Sequence, residues 1–223
     1  MVCTPVKRKS AIYRQHFPRR HNKGLVEAKN EIQSRELRMN KVQRWEIIGI
    51  FIIVGFGTTL HFWFEWTDYW RPIALIAAVN ESTWEHFKMA FWPGLIYALI
   101  EYPFLKDETN NFFIAKFAGL FAMPVITTIL FYGYTSLTGT HLLWADVIVF
   151  ILSVIGGQWI SLTILTKTEK MQPSTQNFAI AGLVIMVLAF SLLSYYPLNN
   201  LLFTHPETGE IGILSDYDHD HGH

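Results

Sequence analysis

The chain has 223 residues, of which 51% are hydrophobic and 16% are charged, and its formal net charge is zero. Soluble domains of this length carry about 25% charged residues, so the composition favours a membrane protein. The single cysteine excludes an intrachain disulfide and a cysteine-rich metal site.

The charges are unevenly distributed along the chain. Residues 1–44 hold 12 of the 18 Lys and Arg residues, whereas residues 197–223 hold no Lys or Arg and five acidic residues. This distribution predicts three regions. They are a basic arm over 1–44, a membrane domain over 45–196 and an acidic, histidine-containing tail over 197–223.

Five apolar runs approach the length of about 20 residues that a helix needs to cross a membrane. The first predicted helix covers 45–64, with the sequence WEIIGIFIIVGFGTTLHFWF. The other four predicted helices cover 84–105, 112–135, 142–166 and 178–195. The predicted fold class is therefore all-α integral membrane, with five transmembrane helices.

The stretch PIALIAAV, residues 72–79, is apolar but too short to cross a membrane. We predict a short re-entrant or interfacial segment here, immediately before the second helix. Irregular backbone at membrane depth is tolerated only where protein or water satisfies its polar groups. Such a segment therefore needs polar partners nearby.

Lys and Arg are enriched in cytoplasmic loops, and this bias predicts the orientation. The basic arm is expected to be cytoplasmic, which places Lys106, Lys167 and Lys170 on the cytoplasmic side of a five-helix protein. Only Arg71 then lies in the outer segments. The predicted location is the plasma membrane, with the N-terminus cytoplasmic and the C-terminus extracytoplasmic.

Polar and ionisable residues gather at the outer ends of the first two predicted helices. The second helix opens with AVNESTWEHFKMAFWPG, residues 78–94. Ionisable residues inside membrane spans are costly and by default suggest function. The predicted ligand-binding residues are Glu65, Asn80, Glu81, Glu85, Lys88 and Asp146.

Part of this group also has a structural explanation. Ser82 to Glu85 fits a capping box, in which the hydroxyl and the carboxylate satisfy free amides at a helix N-terminus. Glu81 and Asp146 lie near predicted helix N-termini, where the helix dipole favours an anion. Neither arrangement by itself requires a ligand.

The spacing of residues 81–88 predicts how the charges are placed on the second helix. On a regular helix, Glu81, Glu85 and Lys88 share one face, so a salt bridge between Lys88 and Glu85 is expected. His86 points about 140° away from Glu81. It cannot join the same cluster unless a second helix approaches it.

His61 and Glu65 are four residues apart and share a helix face. The spacing suits two metal ligands, or a histidine held by a carboxylate. If the first two helices meet, His86 completes a predicted metal set of His61, Glu65 and His86 for a divalent ion such as zinc. The sequence contains no HExxH motif and no nucleotide-binding loop.

Four stretches carry a resemblance to a known family: WEIIGIFIIVGFGTTLHFWFEWT, AVNESTWEHFKMAFWPGLIYALIEY, LSVIGGQWIS and HPETGEIGI. Together they resemble a bacterial membrane family known as domain of unknown function 6512, over roughly residues 42–213. The pattern NES-x-WEH-x-K is the most specific part. The resemblance implies a short polytopic membrane protein with an outward C-terminal segment, and no established activity.

Family members tend to begin a few residues before the WE pair of the first helix, which here is Trp45 and Glu46. We therefore hypothesise that residues 1–38 are over-translated and that translation begins at Met39. The alternative is a genuine basic cytoplasmic arm with a short helix from Gly24. Mass spectrometry of the native protein distinguishes them, because any peptide from before Met39 contradicts over-translation.

Three function classes follow from these patterns. The first is transport or binding of a cation or small cationic solute in the outer site. The second is an accessory subunit whose polar outer patch docks another membrane protein. The third is a metal-dependent hydrolase of a lipid-like substrate, with Glu81 or Glu85 as general base. It loosely resembles integral-membrane ceramidase-like hydrolases but lacks their late histidine pair. The expected partner in every class is the lipid bilayer, and nothing beyond charge points to nucleic acid.

Overall fold

The computed structural model describes residues 19–167, 169–206 and 208–213, and this part of the chain is helical. The one β feature described is an isolated bridge between Thr204 and Ile211. Two short 3₁₀ helices are Arg71–Leu75 and Leu201–Phe203. The α-helices are α1 (Arg19–Leu60), α2 (Trp63–Trp66), α3 (Thr83–Leu105), α4 (Phe112–Thr138), α5 (Leu143–Leu165) and α6 (Pro173–Leu192).

The all-helical prediction is confirmed, and most helix bounds agree within a few residues. The largest difference is α1, which begins at Arg19 although its apolar part begins only near Trp45. The polar first half contains many good helix formers and no proline, so nothing in it ends the helix. At the other end, α1 stops at Leu60, and a separate turn, α2, follows.

The predicted short segment before the second long helix is present as the 3₁₀ helix Arg71–Leu75, followed by irregular backbone up to Ser82. Proline at its second position fixes one backbone dihedral and suits a helix start. At five residues, the 3₁₀ helix is much too short to cross a membrane.

Three helices are long and apolar enough to cross a membrane: α4, α5 and α6. Helix α3 has a similar length but carries Glu85, Lys88 and Glu101, and α1 is polar over its first half. The protein is therefore consistent with membrane insertion.

Two compact units divide the chain, Met1–Arg38 and Met39–His223. In the first unit, the side chains described from Gly24 onward are almost all exposed, and Arg35 pairs with Glu31 one helical turn away. Residues 1–18 of the predicted arm and residues 214–223 of the predicted tail lie outside the described residues. The predicted domain bounds therefore stay a prediction.

Close packing in the second unit depends on small residues. A Cβ atom on Gly119 of α4 would lie 2.8 Å from the carbonyl oxygen of Gly157 in α5. Small residues allow helix backbones in a membrane to approach this closely. Helix α4 also packs against α3 and α6, so it contacts three of the other long helices.

The last turns of α1 approach the first turns of α3 at a second glycine. A Cβ atom on Gly57 would lie 2.3 Å from the carbonyl oxygen of Met89. His61 follows Gly57 by one turn, and His86 precedes Met89 by about one turn. Because the two chain segments run in opposite directions, both histidines lie on the same side of this contact. The approach therefore brings the two histidines to the same place.

Candidate metal-binding site

Two histidines and one carboxylate converge where α1 ends and α3 begins. His61 Nε2 lies 3.3 Å from Glu81 Oε1, and His86 Nε2 lies 3.5 Å from Glu81 Oε2. One ligand atom from each residue lies within 4.8 Å of the other two. The rings of His61 and His86 have centroids 5.6 Å apart. The end of α1 and the start of α3 thus bring His61 and His86 together, and a metal site that uses both histidines requires this contact.

The three side chains are open to water as well as to one another. Their exposed fractions are 26% for His61, 51% for Glu81 and 32% for His86. An ion could therefore reach the cluster directly from the aqueous side. Two imidazole nitrogens and a carboxylate oxygen form a typical zinc ligand set.

A backbone hydrogen bond fixes the tautomer of His86. Its Nδ1 lies 2.9 Å from the carbonyl oxygen of Ser82, which can only accept a hydrogen bond. The Nδ1 atom must therefore carry a proton, and Nε2 is the ring nitrogen that faces Glu81. Metal-binding histidines are usually oriented by such a bond from the second ring nitrogen.

His61 is held differently, and its surroundings favour the neutral ring. The pKa of His61 lies below the usual histidine value, mainly because burial disfavours the charged imidazolium. The Glu81 carboxylate raises this pKa and the His86 ring lowers it further. The neutral imidazole is the form that binds metal. Its Nδ1 atom is buried and has no hydrogen-bond partner among the described residues.

Glu81 reaches the histidines because it precedes α3 instead of lying on it. The irregular backbone before Thr83 is held by Asn80, whose Oδ1 accepts a 2.8 Å hydrogen bond from the Ser82 amide. The Asn80 Nδ2 donates a 2.7 Å bond to the carbonyl oxygen of Gly212. Our expectation that Glu81 shares a helix face with Glu85, away from His86, is therefore wrong. Helical angles do not apply to a residue outside the helix.

Glu85 and Lys88 form a separate, buried group. Lys88 Nζ lies 2.7 Å from Glu85 Oε2, as the spacing predicted, and donates 2.7 Å hydrogen bonds to the Ala74 carbonyl and the Ser194 hydroxyl. The Ser194 hydroxyl in turn donates to Glu85 Oε1 at 2.6 Å. All three ammonium donors are thus satisfied. This group joins the 3₁₀ segment, α3 and the chain after α6.

The capping box is not formed. Ser82 is the N-cap residue of α3, but its side chain makes no capping hydrogen bond. The Glu85 carboxylate instead accepts a 3.2 Å bond from the Val79 amide and binds Lys88. A buried ammonium is a stronger partner for a carboxylate than a backbone amide is, so the ion pair prevails.

Two other predicted site residues contribute no ligand atom to the histidine cluster, although the Glu65 carboxylate is near enough to raise the pKa of His61. Glu65 is exposed in α2 and does not belong to the group of side chains whose ligand atoms converge. Asp146 of α5 accepts a hydrogen bond from the Tyr134 hydroxyl and lies 3.5 Å from His141 Nδ1. The structure therefore brings together His61, His86 and Glu81, and not Glu65, Glu85, Lys88 or Asp146.

The sequence interpretation missed a second buried group, which joins α1, α3 and α4. Glu46 and Glu101 both contact Lys116. Glu46 lies at the start of the first predicted helix, Glu101 near the end of the second and Lys116 near the start of the third. Three ionisable residues in otherwise apolar segments were the available signal, because such residues rarely face lipid.

Comparison with known proteins identifies one family. A sequence model described as "Family of unknown function (DUF6512)" matches residues 34–213, which is most of the chain. The match confirms the resemblance seen in the sequence. No curated protein and no solved structure matches the chain.

Proposed function

We propose a function from the geometry alone, because the chain belongs to the family of unknown function 6512, whose description assigns no activity. The protein is a multi-pass membrane protein that binds a divalent cation of the zinc class at its outer face. The observation that supports this is the convergence of ligand atoms from His61, Glu81 and His86. This is a cation-binding function, the first of the three classes.

The proposal includes five membrane crossings, adding residues 45–60 of α1 and the whole of α3 to the three apolar helices. The charged side chains of α3 are at most 2% exposed, whereas its outward side chains are apolar, such as Leu99 and Phe104. Residues 45–60 likewise expose apolar side chains, including Phe51. Surrounding lipid would therefore meet apolar groups, and the internal charges do not argue against a crossing.

The donor set supports zinc over magnesium or calcium. Imidazole nitrogen suits zinc and related transition ions, whereas magnesium and calcium prefer an all-oxygen set. Three protein ligands leave the fourth tetrahedral position of zinc to water or another small ligand. The negative charge of the Glu81 carboxylate also offsets part of the positive charge of a divalent ion.

Metal content tests the proposal. The sample is the detergent-purified chain without residues 215–223, because histidines in the acidic tail could bind metal themselves. Inductively coupled plasma mass spectrometry should find about one zinc ion per chain, since the described residues form one three-ligand set. The His61→Ala, His86→Ala double variant should retain none.

His141→Ala is the matched control. His141 is also a partly exposed histidine beside a carboxylate, Asp146, but it belongs to no group of three converging ligands among the described residues. The control protein should keep its zinc. Equal zinc in the double variant and the control would contradict the proposal, as would the absence of bound metal from the wild type after zinc loading and dialysis.

Asn80→Ala should weaken zinc binding without removing a ligand. Asn80 ties the backbone next to Glu81 to Ser82 and to Gly212. Loss of an outer support of this kind costs about 10–100-fold in metal affinity. Competition titration with a zinc chelator measures the change. Thr58→Ala is the control, because its hydroxyl bonds only within α1 and should leave the affinity unchanged.

A zinc-dependent hydrolase is the second candidate. The open fourth ligand position favours it, since catalytic zinc sites have three protein ligands and a water. Neither of the two residues predicted as general base, Glu81 and Glu85, is available for this role, however. Glu81 would be a zinc ligand, and Glu85 is bound by Lys88 and Ser194. A lipid hydrolysis assay with the zinc-loaded protein decides, and turnover that disappears in His61→Ala would favour the enzyme.

An accessory role remains the third candidate, with another membrane protein as its partner. The exposed Trp66 and Trp70 lie on the segment between α1 and α3 and would suit a membrane interface or a protein contact equally well. Co-purification from native membranes distinguishes this role. A stoichiometric partner together with a metal-free protein would favour it over cation binding.

A further inference from the structure

A second cluster of charged side chains lies inside the unit formed by residues 39–223. Lys116 Nζ of α4 lies 2.5 Å from Glu46 Oε1 of α1 and also contacts the Glu101 carboxylate of α3. These side chains are at most 5% exposed. Three helices therefore contribute one charged residue each to a site that is almost completely shielded from solvent.

This cluster lies far from the histidine site along both α1 and α3. Glu46 precedes His61 by 15 residues, and Glu101 follows His86 by 15 residues. At 1.5 Å per residue, each separation corresponds to about 22 Å along the helix. The cluster is thus independent of the proposed metal site.

The charges in the cluster do not balance. Two carboxylates face one ammonium group, and the cost of an uncompensated buried charge is high. Among the described residues, the other polar groups packed against the cluster are neutral, and α6 carries no titratable residue. These groups are the Ser161 hydroxyl on Glu46 Oε1, the Gln158 amide on the Glu46 carbonyl and the Tyr97 hydroxyl on the Trp45 carbonyl. Lys41 and Glu108 pair with each other.

Two carboxylate oxygens in the cluster also lack partners. Glu46 Oε2 and Glu101 Oε2 are buried without a hydrogen bond to any described residue. An ionised carboxylate can only accept hydrogen bonds, whereas a protonated carboxyl group can also donate one. A proton would therefore correct both deficits, since it adds the missing positive charge and the missing donor.

We propose that the pair Glu46 and Glu101, bridged by Lys116, binds one exchangeable proton. The proton comes from a hydronium ion, forms an O–H bond with one carboxylate oxygen and leaves a water molecule behind. The cluster with one proton is neutral overall. If Lys116 were neutral, both carboxylate charges would be uncompensated, and the cluster would need two protons to become neutral. An inorganic cation such as sodium would supply the charge but not the donor.

Infrared spectroscopy of the purified full-length chain at neutral pH tests the proposal. A protonated carboxyl group gives a carbonyl stretch that a carboxylate lacks, and this band shifts in heavy water. The wild type should show the band. Glu46→Gln and Glu101→Gln should each lose it, because each variant leaves one carboxylate against one ammonium group. Glu108→Gln, on the partly exposed pair, should keep it.

Conservative variants cover the case in which a glutamine variant does not fold. Glu46→Asp and Glu101→Asp keep both carboxylates, and at least one of them should move the band to the frequency of an aspartic acid. A wild type without the band overturns the proposal. A band that persists unchanged in all four variants overturns it as well, and so does a sodium dependence of unfolding in a protein without the band.

Discussion

Lys88→Met should destabilise the membrane domain by about 3–5 kcal/mol, because it leaves the Glu85 carboxylate buried without its counter-charge. Glu85 is only 2% exposed, so water cannot replace the lost ammonium group. Met keeps most of the volume of the lysine side chain, and a packing defect is therefore a minor contribution. Reversible unfolding in mixed detergent micelles measures the free energy.

A double variant separates the charge effect from packing. Lys88→Met with Glu85→Gln removes both charges and should recover much of the loss, since a buried pair replaced as a whole costs far less than a broken one. Lys41→Met is the control. Its half-exposed pair with Glu108 should contribute at most about 1 kcal/mol. A single Lys88→Met variant as stable as this control would mean that the ion pair does not support the fold.

The same substitution should also weaken the proposed zinc site. Lys88 binds the Ala74 carbonyl, and Glu85 binds the Val79 amide, so the pair holds both ends of the segment that leads to Glu81. Loss of the pair releases that backbone and lets the Glu81 carboxylate move. Zinc affinity in a folded Lys88→Met protein should therefore fall, although Lys88 does not contact the site.

The long helices could be predicted from the sequence because lipid-facing segments must be apolar over a known length. The bounds of α4 and α5 differ from the predicted ones by three residues or fewer. The ion pair between Glu85 and Lys88 was also predictable, since both residues lie on α3 and the spacing alone brings them together. These features depend on local periodicity.

The candidate site depended on contacts that local periodicity does not contain. Residues in the irregular backbone before Thr83 do not follow helical angles, so the direction of Glu81 could not be derived. The hydrogen bond from Asn80 to Gly212 joins residues 132 positions apart. It joins two of the stretches that carried the family resemblance, NESTWEH and HPETGEIGI. The sequence thus indicated which stretches matter but not that they touch.

The buried group around Lys116 was missed for a related reason. The enrichment of Lys and Arg on the cytoplasmic side is a rule for loop residues, and it indicates nothing about a lysine inside a helix. Lys116 is four residues inside α4 and meets carboxylates from two other helices. Only the tertiary packing distinguishes a buried lysine at this depth from one that extends to the interface.

The approach of α1 to α3 at Gly57 should be essential for the proposed zinc site. In Gly57→Leu, the new Cβ would lie 2.3 Å from the Met89 carbonyl oxygen, and backbone cannot move aside as a flexible side chain can. The helices must separate, which moves His61 away from His86. We expect zinc affinity to fall by more than about 100-fold, beyond the usual cost of an outer support, as measured by chelator competition.

Gly55→Leu provides a matched control in the same turn of α1. Gly55 is exposed, and a Cβ atom there would meet nothing within 4 Å, so the protein should bind zinc as the wild type does. Both variants add the same apolar side chain and make the same change in helix propensity. The difference between them therefore reports the close approach alone. Wild-type zinc affinity in Gly57→Leu would show that the histidines do not need this contact, and the assignment of the site to the junction of α1 and α3 would fail.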